Sequence, residues 1–315
     1  MGKQQEIMIL MDRELRRSAA VLRGLSLARR SGAALRLRSF EYSPALDRAT
    51  PRGFDLPAYL RGRQAEFEDF TAGLRTEGVE AECKVVWGHP ITERILFEVM
   101  ALKPAMVIKD VPHHSDPTMA ALNGLDWRLL SECPAPLMLV RPNSPSLPRH
   151  IAAAVDPLDE HGKPHELNHG IMRVATTLAR QCDAGLDVVN VFEYMPMGGE
   201  WEYTGWMPDL TLYGELRQVH AEGLFKLGRE HGVPTSAMHI LNGEASDRIV
   251  HFAADRHIDL VVMGSIYRKG LKRLFLGSTA EGVFDTLGCD VLLIKPEGFA
   301  AELQRILEAS EAKAA

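Results

Sequence analysis

The sequence predicts two tandem α/β units, each a doubly wound, Rossmann-like parallel sheet of five strands, folded together as an intramolecular pseudo-dimer. Three observations predict it. The chain repeats itself with its landmarks in the same order. Short apolar runs alternate with longer helical patterns. Several of those runs carry almost no polar alternation, as strands buried on both faces of a parallel sheet require.

The repeat is visible by eye. IMILMD ends an apolar run at Asp12, and IAAAVD ends another at Asp156. RSGAALRLRSFEY (30–42) aligns with QCDAGLDVVNVFEY (181–194), both closing on Phe-Glu-Tyr. GVEAECKVVWGHPITERILFEVMALKPAMVIK (78–109) follows the same plan as GVPTSAMHILNGEASDRIVHFAADRHIDLVVMG (232–264), an alignment that sets Lys109 against Gly264. CPAPLMLVRP, ending at Pro142, matches GCDVLLIKP, ending at Pro296. The units are expected at 1–143 and 150–297, joined by the Pro/Ser-rich NSPSLPRH (143–150) and followed by a tail at 298–315. In the second unit the strands are expected at 151–155, 186–192, 236–241, 259–263 and 290–294. The helices are expected at 166–182, 211–231, 245–257 and 279–288.

Composition excludes several classes. A chain of 315 residues, 46% apolar and 25% charged, has ample material for a core. A net charge of −6 argues against a nucleic-acid binder. The opening MGKQQEIMILMD is too short an apolar run for a signal peptide, and nothing approaches a membrane span of about 20 residues. Cys83, Cys133, Cys182 and Cys289 are far apart and form no CxxC, which suits buried thiols in a reducing compartment. A cytoplasmic protein is expected, with neither nucleic acid nor membrane as partner.

Ligands on doubly wound sheets bind outside the carboxyl ends of the strands. That rule gathers Asp156, after the first strand of the second unit, with Met263 and Gly264, at the end of its fourth. Gly264 is expected to let the chain turn and let a ligand approach the backbone. Gly277, Ser278 and Thr279 open the next helix, where unpaired N–H groups and the helix dipole favour an anion. Arg268, Lys269, Lys272 and Arg273 supply positive charge nearby. This is a phosphate cradle in design and not a P-loop, which needs a lysine directly before the hydroxyl residue. Asp156 is placed to accept hydrogen bonds from a ribose or a base. One carboxylate among Asp156, Asp159, Glu160 and Glu166 is a candidate to hold Mg²⁺ against phosphates.

The second unit resembles a universal stress protein domain. Nucleotide-binding members of that family carry Gly-x2-Gly-x9-Gly-Ser/Thr between the fourth strand and the last helix; here Gly264, Gly277 and Ser278 match. Tyr267 stands at the second glycine, where its ring either fills phosphate space or stacks on the ligand. The resemblance further implies an adenine nucleotide alpha hydrolase-like fold, Val191 packing against adenine, and ATP or a related anion as ligand. The implied site is Asp156, Val191, Met263, Gly264, Arg268, Gly277, Ser278 and Thr279. With both copies considered, the whole chain is similar to the tandem, E-type members, which implies a cytoplasmic stress-survival factor without strong catalysis. Family domains associate through their last strands, here LMLV (137–140) and VLLI (291–294), and pairing removes two apolar edges.

The first unit departs from the motif. It reads IKDVPHHSDP where the second reads MGSIYRKG, and Asn123 and Gly124 take the places of Gly277 and Ser278. It is expected to be a structural partner, or to take a different ligand with Lys109 as a fixed cation. His161, His165 and His169 recur every four residues, but Gly162 and Pro164 set the helix start near His165 and break the array as a metal site. His113, His114 and Asp116 lie in a Pro-rich loop. No Ser/His/Asp arrangement and no general base stands out. The aromatic connection 198–210, with Trp201, Tyr203, Trp206 and Met207, offers an alternative reading as an interaction scaffold or amphipathic-ligand lid. The tail carries Leu303, Ile306 and Leu307 on one helical face, suited to docking or to a homodimer.

Overall fold

The computed structural model describes residues 4–44, 55–111, 122–158, 165–194, 210–265 and 277–314. The first half runs β1 (Glu6–Met11), α1 (Ala19–Ser31), β2 (Ala34–Glu41), α2 (Leu56–Arg75), β3 (Ala81–Trp87), α3 (Ile91–Leu102), β4 (Met106–Asp110), α4 (Gly124–Glu132) and β5 (Leu137–Val140). The second runs β6 (His150–Ala154), α5 (His165–Cys182), β7 (Gly185–Phe192), α6 (Leu210–Glu230), β8 (Met238–Asn242), α7 (Ala245–Asp255), β9 (Leu260–Gly264), α8 (Ser278–Thr286) and β10 (Asp290–Ile294). A final helix, α9 (Phe299–Ala314), follows. The strands of the second half lie within two residues of their expected starts and ends. The helices begin at their expected starts or one residue before them, and end at their expected ends or up to two residues short.

All ten strands form one sheet in the order β3-β2-β1-β4-β5-β10-β9-β6-β7-β8. Each half is parallel throughout. The halves meet antiparallel, with Leu137, Met138 and Leu139 of β5 opposite Leu293, Leu292 and Val291 of β10. Every residue of β5 and β10 is buried, as expected of two apolar edges that cover each other.

Helices cover both faces. Residues of α1, α2, α5 and α6, among them Leu25, Phe67, Met172 and Leu224, build one core with alternate strand residues from both halves. Residues of α3, α4, α7, α8 and α9, among them Leu96, Leu129, Phe252, Val283 and Leu303, build the other. The tail helix therefore docks through Phe299 and Leu303. Local signals explain the helix ends. The Ser18 hydroxyl accepts from the Val21 N–H at the start of α1, and Gly32, at φ 71°, supplies the left-handed residue that ends it.

The seam is fastened by an ion pair with both side chains fully buried. The Arg23 guanidinium of α1 donates to Asp290 Oδ2 at 2.7 Å, and to the carbonyls of Pro145 (2.8 Å) and Ser146 (3.1 Å) in the linker. Asp290 Oδ1 accepts from the Arg141 N–H at 2.8 Å and from the Ser144 hydroxyl. Burial pushes the Asp290 carboxyl up, while Arg23 and these donors pull it down. One carboxylate thus joins a helix of the first half, the linker and the edge strand of the second. Removing one partner of such a pair leaves an uncompensated buried charge. Arg23→Ala is expected to lower the unfolding free energy by about 3–5 kcal/mol, measured by urea denaturation. Arg23→Met combined with Asp290→Asn should recover part of that loss.

Candidate functional site

β6 lies between β9 and β7, so their carboxyl ends share one rim. Asp156 follows β6, Val191 sits near the end of β7, and Met263 and Gly264 close β9. Val191 and Met263 belong to the same core face, Val191 half-buried and Met263 buried. Because β10 runs parallel to β9, α8 must return against them, and its first residues, Gly277, Ser278 and Thr279, start at the same rim. Arg268 and Tyr267 lie outside the described residues, as do Lys269, Lys272, Arg273, Asp159, Glu160, His161, the His113–Asp116 cluster and the aromatic residues 201–207.

Gly264 has a packing cause that sequence reasoning missed. A Cβ there would lie 2.8 Å from Leu167 Cδ2 and 3.0 Å from Ile171 Cδ1. The first turns of α5 run directly over the end of β9, and glycine is what lets them approach. The strand registers also correct the equivalence drawn for Lys109. Leu10 pairs with Lys109 in the first half, and Ala154 pairs with Met263 in the second. Lys109 is therefore the counterpart of Met263, and Asp110 is the counterpart of Gly264. Sequence alignment slipped by one residue because both strands end in a non-apolar residue.

Asp110 and Lys109 give the first half a different chemistry at its rim. The Asp110 carboxylate accepts from the Ala20 N–H at 2.9 Å, capping the start of α1. Burial pushes its carboxyl up, with Ser18 and Ala20 opposing. Lys109 Nζ donates to the Asp110 carbonyl at 2.9 Å and lies 2.7 Å from Asp126 Oδ1, an oxygen that no well-angled hydrogen bond reaches. Asp126, fully buried, forms a reciprocal capping box with Asn123, each side chain accepting from the other's N–H at 3.0 and 2.9 Å. The start of α4 is thus occupied by the chain's own carboxylate and ammonium. Its counterpart α8 begins at Gly277 with no side-chain cap among the described residues. Aligned on Asn123 and Gly277, Asp126 corresponds to Ala280. The NGLD stretch carried this signal in its Asn-x-x-Asp spacing. Asp126→Ala is expected to cost about 3–5 kcal/mol, chiefly by stranding Lys109. Pairing it with Lys109→Met, which copies the residues of the second half, should restore most of that stability in equilibrium unfolding.

A lysine joins this rim to the first half. Lys295, one residue past β10, donates to the Leu130 carbonyl of α4 at 2.6 Å and to Ser265 Oγ at 3.2 Å. Its ammonium also lies 5.0 Å from the centre of the Phe299 ring. Its counterpart Arg141 reaches the carbonyls of Leu287 and Cys289 beyond α8, the latter at 3.0 Å. Each half therefore sends a cation to the carboxyl end of the other's last helix, where the dipole favours it. Burial pushes Lys295 down to about 7, with Cys133 and Glu132 opposing. An unfolded lysine titrates near about 10.4, so between those values the unfolded chain binds more protons. Stability is expected to rise with pH from about 7 to about 8.5, by up to about 1.4 kcal/mol per unit, above which the raised Cys133 and Cys289 thiols oppose the lysine. The rise should be absent in Lys295→Met, as chemical denaturation at a series of pH values would read.

The remaining constellations resolve plainly. His169, on α5, sits with its Nδ1 2.9 Å from His231 Nε2 and its Nε2 3.7 Å from Glu230. Burial, together with His169 and Arg173, pushes His231 down. No group of three metal-ligating side chains occurs among the described residues. The four cysteines are free, and burial raises the Cys133 thiol to about 11 and the Cys289 thiol to about 12. No helix among the described residues is long and apolar enough to cross a membrane.

Residues 148–295 match the model of the universal stress protein family. The chain is 26% identical to universal stress protein E of Salmonella typhi, over 95% of its own length and 96% of that protein's. It is 32% identical to a universal stress protein of Methanocaldococcus jannaschii, over 38% of this chain and 71% of that one. Its fold superposes on a universal stress protein structure from Pseudomonas aeruginosa with a TM-score of 0.76 at 24% identity, covering 96% of this chain and 98% of that one. Two copies of one parallel α/β unit, joined through their edge strands, with nearly the whole length similar to the Salmonella typhi protein, have one reading: the chain belongs to the universal stress protein family, as a tandem member of the E type.

Proposed function

We propose that the second half binds ATP, or a closely related anionic nucleotide, at the rim formed by β6, β7, β9 and the start of α8. The protein would act in a cytoplasmic stress response by binding, at most as a weak ATPase. The observation that carries this reading is the contrast between the two helix starts. In the first half Asn123, Asp126 and Lys109 satisfy the start of α4 from within. In the second, α8 starts with a glycine cap and without a side-chain acceptor among the described residues. A helix start left in that condition suits an external anion, since its N–H groups and dipole favour negative charge. Gly277, Ser278 and Thr279 are the proposed phosphate contacts, with Arg268 adding charge. Asp156 would take the ribose or base edge, and Val191 and Met263 would give the base an apolar wall. Any Mg²⁺ would arrive with the phosphates, Asp156 and Glu166 being the described carboxylates at hand.

The reading expects a single nucleotide per chain. Native mass spectrometry should show one bound equivalent, released on denaturation and absent from Gly277→Val combined with Ser278→Ala. At a ligand concentration of about 100 times Kd, binding adds about 2.7 kcal/mol to stability, so a thermal shift with ATP should appear in the wild type and vanish in that variant. Wild-type protein that carries no nucleotide and shows no shift at about millimolar ATP ends the proposal.

A further inference from the structure

We propose that Asn168 and the Asn190–His220 pair are positioning residues that hold Asp156 as the base- or ribose-reading carboxylate; the proposal rests on the nucleotide reading above. β6 ends at Ala154. The Val155 N–H still reaches the Val189 carbonyl at 3.0 Å. After that the ladder stops, and the carbonyl of Val155 and both peptide groups of Asp156 need other partners. Side chains from three elements supply them. The Asn190 amide of β7, fully buried, donates to the Val155 carbonyl at 3.0 Å. Asn168, in the first turn of α5, accepts the Asp156 N–H at 3.1 Å and donates back to the Asp156 carbonyl at 2.5 Å. His220 of α6 stands behind Asn190, its Nδ1 2.9 Å from Asn190 Oδ1, while its ring stacks on Phe192 with centroids 5.1 Å apart. Since an amide oxygen only accepts, His220 Nδ1 must carry the proton, which fixes both the tautomer and the Asn190 orientation.

The chain holds its own control. Aligned on the left-handed residues that follow α1 and α5, Gly32 and Asp183, the counterpart of Asn168 is Arg17. By strand register the counterpart of Asn190 is Ser39, whose hydroxyl turns to Glu41 at 3.4 Å. The counterpart of Asp156, Asp12, uses its carboxylate locally, on the Glu14 N–H at 3.1 Å and on Arg16. Ending the first strand therefore does not require the frame. Among the described residues, only the half whose last helix starts without a side-chain cap builds it, and a carboxylate that discriminates between ligands needs its backbone held.

Calorimetry with ATP and with GTP tests this on wild type, Asn168→Ala, Asn190→Ser, Asp156→Ala and the Asp156→Ala double variants. Asn168→Ala should lose about tenfold in ATP affinity, the worth of a hydrogen-bonded contact. Its preference for ATP over GTP should fall toward that of Asp156→Ala. On the Asp156→Ala background neither asparagine change should weaken binding further, because each acts through that carboxylate. Additive losses, or an unchanged nucleotide preference, overturn the proposal. Asn190 is buried and its variant can lose stability for that reason alone, so the half-buried Asn168 carries the decision. Amide exchange of ligand-free protein gives a second arm. The Asp156 N–H should exchange slowly in wild type and faster in Asn168→Ala, with the Val189 amide unchanged. Equal protection in both proteins overturns the frame. Wild type that binds neither nucleotide ends the functional reading, and the exchange arm then decides the frame on its own.

Discussion

The buried bond between Arg23 and Asp290 is the constraint on which the architecture rests. A sheet of parallel strands with helices on both faces ends in an apolar edge strand, and the chain has two such edges in β5 and β10. Pairing them buries both. Antiparallel pairing by itself leaves register and angle to be decided, and apolar strands can slip. A carboxylate that must meet one guanidinium, one backbone N–H and one hydroxyl at once removes that freedom. Because the same guanidinium also holds the linker carbonyls at Pro145 and Ser146, the path between the copies is fixed by the group that fixes their seam. The crossed cations Arg141 and Lys295 then lock each last helix to the opposite half.

Within that frame the rims of the two copies differ at four matched positions around the start of the last helix. Lys109, Asp110, Asn123 and Asp126 answer to Met263, Gly264, Gly277 and Ala280. The first set is a closed network of charge and hydrogen bonds, and the second offers no charge at all. Among the described residues, the divergence therefore lies in whether the chain itself places a carboxylate at the start of that helix. Asp110 likewise caps α1 from across the sheet, whereas Gly264 yields its space to Leu167 of a helix that starts about a turn earlier.

Much of this was legible in the sequence. The repeat and the strand sequence of the second half follow from apolar periodicity, and the pairing of LMLV with VLLI was implied by the family resemblance and made physically reasonable by the cost of an exposed apolar edge. The start of α5 near His165 followed from Gly162 and Pro164. What could not be read were contacts made across the sheet. Gly264 carried a turn-and-ligand interpretation because nothing local reveals Leu167 lying above it. Lys109 was set one position off, since register is fixed by the neighbouring strand rather than by the strand itself. Asn168, Asn190 and His220 lie 22 to 52 positions apart, at separations that only the folded topology closes.

The antiparallel seam also gives the molecule a polarity. Strands in the two halves point opposite ways, so their carboxyl-end rims open on opposite margins of the common sheet. A body docking on one margin meets the half whose last helix start is sealed by Asn123, Asp126 and Lys109, and one docking on the other meets the half whose corresponding helix has no side-chain cap among the described residues. A duplication that would ordinarily yield two equal faces has instead produced a particle with a distinguishable front and back.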